Sequence, residues 1–130
     1  MKKYYKELIA KTIKNKKYSY SPYSKFCVSS SVLSDSGKIF SGVNIENSSF
    51  SLTLCAETAA IAIAISKGIK KITAVAIYAD SKEFVYPCGA CRQRIAEFSE
   101  NADIILINAE NKIKILKLKT LLPNSFKLNL

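Results

Sequence analysis

Hydrophobic residues recur at helical spacing in some segments of this 130-residue chain and in strand-like runs in others. These patterns predict the order of its helices and strands. Residues 4–17 carry aliphatic side chains at helical spacing among lysines, which predicts an amphipathic first helix. A serine-rich loop containing Pro22 then breaks this pattern. Residues 26–33 and 38–45 follow as two stretches of strand-forming composition. They are joined by the turn sequence SDSG, which predicts a β-hairpin.

The middle of the chain is more apolar than its start. Residues 53–68 leave almost no polar face, which predicts a helix that is buried on all sides and ends at Gly68. Residues 71–79 form a continuous apolar run, typical of a strand inside a covered sheet. Pro87 then opens a third predicted helix within residues 88–100. Two more strands are predicted at 102–109 and 113–119.

This order of elements predicts the fold class. A helix, a hairpin, a helix, a strand, a helix and two strands indicate an α/β protein with a mixed five-stranded sheet. Helices on both faces of that sheet make a three-layer α/β/α sandwich. The length suits one compact domain, so we expect a single domain over residues 1–130.

The charge of the chain bears on its partners. A net charge of +10 invites a nucleic-acid interpretation, because clustered lysine and arginine release counterions from phosphates. Beyond the amino-terminal segment, however, the lysines are scattered along the sequence. This distribution favours dispersed, solubilising charge, and we expect no nucleic-acid partner. The only two arginines, Arg92 and Arg94, follow Cys91 closely.

The apolar runs and the cysteines indicate the compartment. No apolar run of about eighteen residues occurs, and the basic start is followed by no apolar stretch with a cleavage site. We therefore expect no membrane association and a cytoplasmic location. The four cysteines of such a chain are more typical of reduced, catalytic or metal-bound thiols than of a disulfide framework.

Two short motifs carry the candidate chemistry. Cys88 and Cys91 form a C-x-x-C pair, which alone fits a redox pair, half a structural zinc site or two buried thiols. Cys55-Ala56-Glu57 stands about thirty residues earlier at the start of another predicted helix, and the combination is similar to the zinc deaminase signature. Two alternatives are a closed four-cysteine site with Cys27 and a basic binding module built on structural zinc.

Elementary chemistry explains why these residue types belong together. Helix amino termini present unpaired N–H groups that favour thiolates, and three thiolates leave one corner of a zinc tetrahedron for water. Glu57 is then placed to act as general acid and base. The chain has no histidine, so only cysteine ligands remain and the zinc site carries a net charge near −1. Arg92 and Arg94 are the candidates to offset that charge.

The chain resembles the small homotetrameric cytidine deaminases over nearly its whole length. The motifs that carry the resemblance appear in the family's order and are SPYSKF, GVNIEN, CAE, PCGACRQ and LLPNSF. The resemblance implies one Zn²⁺ per subunit and hydrolytic deamination of cytidine and deoxycytidine to uridine and deoxyuridine, with release of ammonia, in pyrimidine salvage. It also implies a homotetramer whose sites are shared between subunits.

The resemblance further implies roles for individual residues. Phe26 lines the pyrimidine pocket, Asn44 and Glu46 hydrogen-bond the ribose hydroxyls, and the backbone N–H of Ala56 contacts the base. Phe126 reaches the pocket of a neighbouring subunit. A carboxylate aimed at the sugar accepts hydrogen bonds from hydroxyls and repels phosphate, which favours a free nucleoside as substrate.

Three positions depart from the family pattern. Thr58 stands where the family usually has an arginine after C-A-E, Phe50 replaces a common tyrosine, and Tyr86 replaces a small residue before Pro87. One enzymatic alternative is a related deaminase of a cytosine nucleoside antibiotic, which shares the three-cysteine site, and the NIEN motif favours ordinary nucleosides over it. A second alternative is editing of a polynucleotide, which the carboxylate of Glu46 disfavours because it would repel a continuous phosphate backbone.

Overall fold

A computed structural model describes residues 2–129, and its elements follow the predicted order. The helices and strands are α1 (Tyr5–Asn15), β1 (Val28–Ser34), β2 (Ile39–Val43), α2 (Ala56–Ser66), β3 (Ile72–Ala79), α3 (Gly89–Glu97), β4 (Asp103–Ile107), β5 (Ile113–Lys117) and α4 (Leu118–Leu121). Within the described residues, none of these helices has both the length and the apolar character needed to cross a membrane.

The strands form a mixed five-stranded sheet in the order β2-β1-β3-β4-β5. The pair β3 and β4 is parallel, and the other neighbouring pairs are antiparallel. Side chains of α1 pack on one face of this sheet, and those of α2 and α3 pack on the other. The predicted three-layer α/β/α sandwich is confirmed. That residues 1–130 form a single domain stays a prediction, which the one continuous sheet supports.

Strand β3 lies at the centre of the sheet and is buried on both faces. Val75 and Ile77 contact the core beneath α2 and α3, whereas Ala76 and Tyr78 contact the core beneath α1. Alternate residues of a strand point to opposite faces, so a strand covered on both sides needs apolar residues at every position. This requirement explains the continuous apolar run in the sequence.

Two sequence predictions need correction. Helix α2 is not buried on all sides, because Ala62 is exposed and Ile63 keeps 41% of its surface accessible. The helix packs against β1, β2, β3 and α3, and Ala62 and Ile63 lie on a side that residues 2–129 leave exposed. The last strand also ends earlier than predicted. The backbone N–H of Leu118 bonds to the carbonyl of Ala102, and the chain turns into α4.

A glycine sets the distance between α2 and the sheet. A Cβ atom at Gly42 of β2 would lie 2.5 Å from the backbone nitrogen of Ala60 and 2.8 Å from the Cβ of Ala59. Only glycine permits so close an approach, and the small alanines of α2 face it. Gly42 therefore helps to fix the position of α2, which begins at the candidate site.

A buried carboxylate on β4 joins the amino-terminal segment to β5. Asp103 has a side chain that is 7% exposed, and it pairs with Lys117 at 2.6 Å and Lys2 at 3.2 Å. The hydroxyl of Tyr5 donates to the same carboxylate at 2.5 Å. Burial raises the pKa of Asp103, but the hydrogen bonds from Lys117, Tyr5 and Lys2 outweigh it and leave the pKa below its ordinary value. This cluster lines an open groove of about 650 Å³.

Candidate functional site

Three cysteines meet where α2 and α3 begin. Cys55 is the N-cap residue of α2, Cys88 is the N-cap residue of α3, and Cys91 lies in the first turn of α3. Their sulfur atoms all lie within 4.8 Å of one another. The structure therefore brings together the three ligands that the sequence predicts, at the end of the helices opposite to the groove that Asp103 lines.

The spacing and chemistry of these sulfurs fit a zinc ion. Tetrahedral zinc with Zn–S bonds of about 2.3 Å requires sulfurs roughly 3.8 Å apart, and three thiolates leave one position for water. Cys27 does not join the cluster, since its thiol donates to the carbonyl of Lys16 at 3.1 Å. The arrangement matches an open three-cysteine site and not the closed four-cysteine alternative.

The three sulfurs have different environments. Burial raises the pKa of Cys88, but hydrogen bonds from the backbone N–H groups of Cys91 and Ala90 outweigh it, and the pKa is lowered. Burial raises the pKa of Cys55 and that of Cys91, and the nearby carboxylate of Glu57 adds to both increases. Binding a dication reverses these two increases by stabilising the thiolates.

Glu57 lies beside the cysteine cluster and is almost fully enclosed. It is the second residue of α2, and 5% of its surface is accessible. Burial raises the pKa of its carboxyl, and hydrogen bonds with its own backbone N–H and with Cys91 reduce that increase without cancelling it. A buried carboxyl with a raised pKa is suited to accept and return a proton.

The hydroxyl of Thr58 contacts Cys91, which was not predicted from the sequence. Its oxygen lies 3.7 Å from the sulfur of Cys91. The signal was available, because Thr58 follows Cys55 by three positions and therefore shares its face of α2. Finding the contact also required the position of α3, which the sequence does not give.

The two arginines make other contacts. The Nε of Arg92 donates to the carbonyl of Pro87 at 2.7 Å, and its Nη1 donates to the carbonyl of Leu121 at 2.9 Å. Arg94 lies in the last turn of α3 and is exposed. The role of these arginines in offsetting the charge stays a prediction.

Asn44 connects β2 to the segment that carries Phe26. Its Oδ1 accepts from the backbone N–H of Val28 at 3.1 Å and from the hydroxyl of Ser19, and its Nδ2 donates to the carbonyl of Phe26 at 2.8 Å. An amide nitrogen has two donors, so one N–H of Asn44 stays available for a ligand. Asn44 therefore holds Phe26 in place as well as being a candidate contact for the sugar.

Glu46 holds the loop that precedes Phe26. Its carboxylate accepts from the backbone N–H of Tyr23 at 3.0 Å, from the N–H of Ser24 at 3.1 Å and from the hydroxyl of Ser24. The hydrogen bond from Ser24 is the largest cause of a lowered pKa, so the carboxylate is ionised. Its oxygens offer about four acceptor sites, and one remains beyond these three bonds. These contacts of Ser24 could not be predicted from the sequence.

Ala56 and Phe126 occupy different environments. Ala56 is the first residue of α2, where a backbone N–H has no partner within the helix. Phe126 is 66% exposed, and its backbone is fixed by Gln93, whose amide donates to the Phe126 carbonyl at 3.0 Å and accepts from its N–H at 3.1 Å. Gln93 thus anchors the carboxy-terminal segment to α3, a role that the sequence analysis did not assign.

The remaining departures from the family pattern lie at the surface. Phe50 is exposed and packs edge-on against Tyr23, with ring centroids 6.0 Å apart. The hydroxyl of Tyr86 accepts from Lys114 at 2.7 Å. Their partners in these two interactions are not members of the cysteine cluster.

Comparison with known proteins agrees with this geometry. Residues 2–107 match the family model described as the cytidine and deoxycytidylate deaminase zinc-binding region. A cytidine deaminase from Sporosarcina psychrophila is 43% identical over 121 residues, covering 92% of this chain and 89% of the relative. One from Mycoplasma genitalium is 41% identical over 113 residues, covering 85% of this chain and 86% of the relative.

Solved structures give the same result. The crystal structure of cytidine deaminase from Burkholderia pseudomallei superimposes with a TM-score of 0.89 at 31% identity, covering 94% of this chain and 98% of that one. The enzyme from Mycobacterium tuberculosis gives a TM-score of 0.81 at 31% identity, covering 95% of this chain and 98% of that one. With the family model matched across the cysteine cluster and Glu57, the chain belongs to the cytidine and deoxycytidylate deaminase family.

Proposed function

We propose that this chain catalyses the hydrolytic deamination of cytidine and deoxycytidine to uridine and deoxyuridine, with release of ammonia, in pyrimidine salvage. The observation that carries the proposal is the meeting of three cysteine sulfurs and the buried Glu57 where two helices begin. Cys55, Cys88 and Cys91 would hold a zinc ion, which would supply acidified water at neutral pH.

Glu57 carries the proton transfers. Its carboxylate takes one proton from the attacking water and delivers it to the ring nitrogen, where it stays. It then takes the second proton from the new hydroxyl on ring carbon 4 and gives it to the amine, which leaves as ammonia while the carbonyl of uridine forms. Because burial raises its pKa, the carboxylate is a stronger base than an exposed glutamate. Acid–base catalysis by one such group contributes about 10²–10⁴ in rate.

The substrate is a free nucleoside and not a nucleic acid. The free N–H of Asn44 and the remaining acceptor site of Glu46 suit sugar hydroxyls, which both donate and accept hydrogen bonds. The ionised Glu46 repels phosphate at the same place. Phe26 is held beside this pair and lines the base pocket, and the N–H of Ala56 donates to the base.

The active form is a homotetramer with shared sites, in which Phe126 enters the pocket of a neighbour. A set of exposed apolar side chains supports an assembly of this kind, namely Phe50, Leu52, Ile63, Phe126 and Leu128. Burying them between subunits removes apolar surface from water. The four cysteines form no disulfide bond with one another, which supports a cytoplasmic location.

The decisive experiment follows the ultraviolet absorbance of cytidine mixed with purified, zinc-loaded protein. The wild-type protein is expected to convert cytidine to uridine. Glu57→Gln should keep its fold and zinc and lose about 10²-fold or more in turnover. Glu97→Gln is the matched control, because Glu97 is an exposed carboxylate at the opposite end of α3. If Glu57→Gln turned over at the wild-type rate, the mechanism would be wrong.

A further inference from the structure

The zinc site faces an excess of negative charge. Three thiolates around a dication leave a net charge near −1, and the buried carboxylate of Glu57 stands beside them. Across residues 2–129, no lysine or arginine forms an ion pair or hydrogen bond with these cysteines or with Glu57. The hydrogen bonds that protein groups donate to these sulfurs therefore come from neutral donors.

The donors are distributed unevenly over the sulfurs. Cys88 is exposed, and it accepts hydrogen bonds from the backbone N–H groups of Cys91 and Ala90. Cys91 is fully buried, so solvent does not reach its sulfur. The hydroxyl of Thr58, at 3.7 Å, is the one side-chain hydroxyl that hydrogen-bonds any of the three sulfurs within the described part of the chain.

We propose that Thr58 is a positioning residue of the zinc site, whose hydroxyl donates to the Cys91 thiolate and disperses part of its charge. A metal-bound thiolate has no proton, so in this contact the hydroxyl is necessarily the donor. The first turn of α2 holds Thr58 next to Cys55, and its β-branched side chain has few rotamers. The hydroxyl oxygen is therefore held close to the Cys91 sulfur by the helix.

This proposal rests on the proposed zinc site and is tested through metal binding instead of turnover. Thr58→Val keeps the shape of the side chain and removes the donor, whereas Thr58→Ser keeps the donor. Thr73→Val is the control, because the Thr73 hydroxyl makes an unrelated bond to the carbonyl of Leu33 at 3.3 Å. Zinc affinity is measured by competition with a chromophoric chelator, and cobalt is substituted for zinc to record the sulfur-to-metal absorption band.

We expect Thr58→Val to weaken zinc binding about 10- to 100-fold, with Thr58→Ser and Thr73→Val close to wild type. The cobalt band of Thr58→Val should move to lower energy, because a thiolate that loses a hydrogen bond gives up electron density more easily. Thermal unfolding of the metal-free proteins separates this effect from a change in folding.

The outcomes are distinguishable. If the wild-type chain fails to bind one zinc, the proposed function fails. If it binds zinc and Thr58→Val binds it equally well with an unchanged cobalt band, the role of Thr58 is refuted. Equal losses in Thr58→Val and Thr58→Ser would also refute it, because packing and not the donor would then be the cause.

Discussion

Adding one methyl group at Gly42 tests how closely α2 is held against β2. The new Cβ would lie 2.5 Å from the nitrogen of Ala60, 2.8 Å from the Cβ of Ala59 and 2.9 Å from the carbonyl carbon of Ala59. Ordinary carbon contacts are about 3.5–4.0 Å, so the helix has to move by roughly 1 Å. Helix α2 carries Glu57 and begins just after Cys55, so this movement also disturbs the zinc site.

The cost follows from the kind of atoms involved. Overpacking a well-packed site typically costs about 1–3 kcal/mol. Two of the three neighbours of the new Cβ are backbone atoms of α2, and they have no side-chain rotation with which to move aside. We therefore expect Gly42→Ala to lose about 3 kcal/mol in free energy of unfolding, near the upper end of that range. The corresponding fall in melting temperature is roughly 10 °C.

The assay is urea unfolding followed by circular dichroism, with zinc affinity measured on the same samples. Gly89→Ala is the control, since a Cβ there meets nothing within 4 Å, and its free energy of unfolding should not fall and should rise by at most about 1 kcal/mol. A loss below about 1 kcal/mol for Gly42→Ala would refute the reasoning, because such a value belongs to a site with room for a methyl group.

Two further predictions concern the two ends of the molecule. Asp103 has a folded-state pKa below its ordinary value of 3.8, so its stabilisation is complete above that value and is lost as the pH falls through the folded pKa. Urea unfolding at several acidic pH values should show a steeper loss for wild type than for Asp103→Asn, and parallel curves would contradict this. Gln93→Ala removes both hydrogen bonds that fix the backbone of Phe126, so hydrogen exchange in residues 123–129 should become faster while α1 stays unchanged. Unchanged protection of residues 123–129 would show that Gln93 is not their anchor.

Periodicity was enough to predict the layers of the fold, because each period reports which faces of an element are buried. The continuous run of β3 predicted a strand covered on both sides, and the structure places it at the centre of the sheet. The cluster of Cys55, Cys88 and Cys91 was predicted from the spacing of two motifs and not from periodicity. Cysteines at two predicted helix starts indicated a shared metal site before their positions in space were known.

Contacts between elements distant in sequence were not predictable in this way. The hydrogen bond between Thr58 and Cys91 depends on how α3 packs against α2. The three hydrogen bonds to Glu46 depend on how the loop of Tyr23 and Ser24 lies against the segment that follows β2. The exposure of Ile63 had a different cause. Composition indicates that a side chain prefers burial, but it does not reveal whether the covering surface belongs to the same chain.

The placement of the cysteines on either side of β3 has a topological consequence. Cys55 precedes α2, and Cys88 follows β3, so a metal held by both closes the intervening segment into a loop that contains a whole helix and the central strand. Closing a loop removes conformational entropy from the unfolded chain for as long as the metal stays bound. Strand β3 can then detach from the sheet by two routes. In the first, the metal stays bound and joins the two ends of the loop; in the second, the metal dissociates first. Bound zinc therefore opposes opening of the protein core, and opening becomes easier once the metal has dissociated.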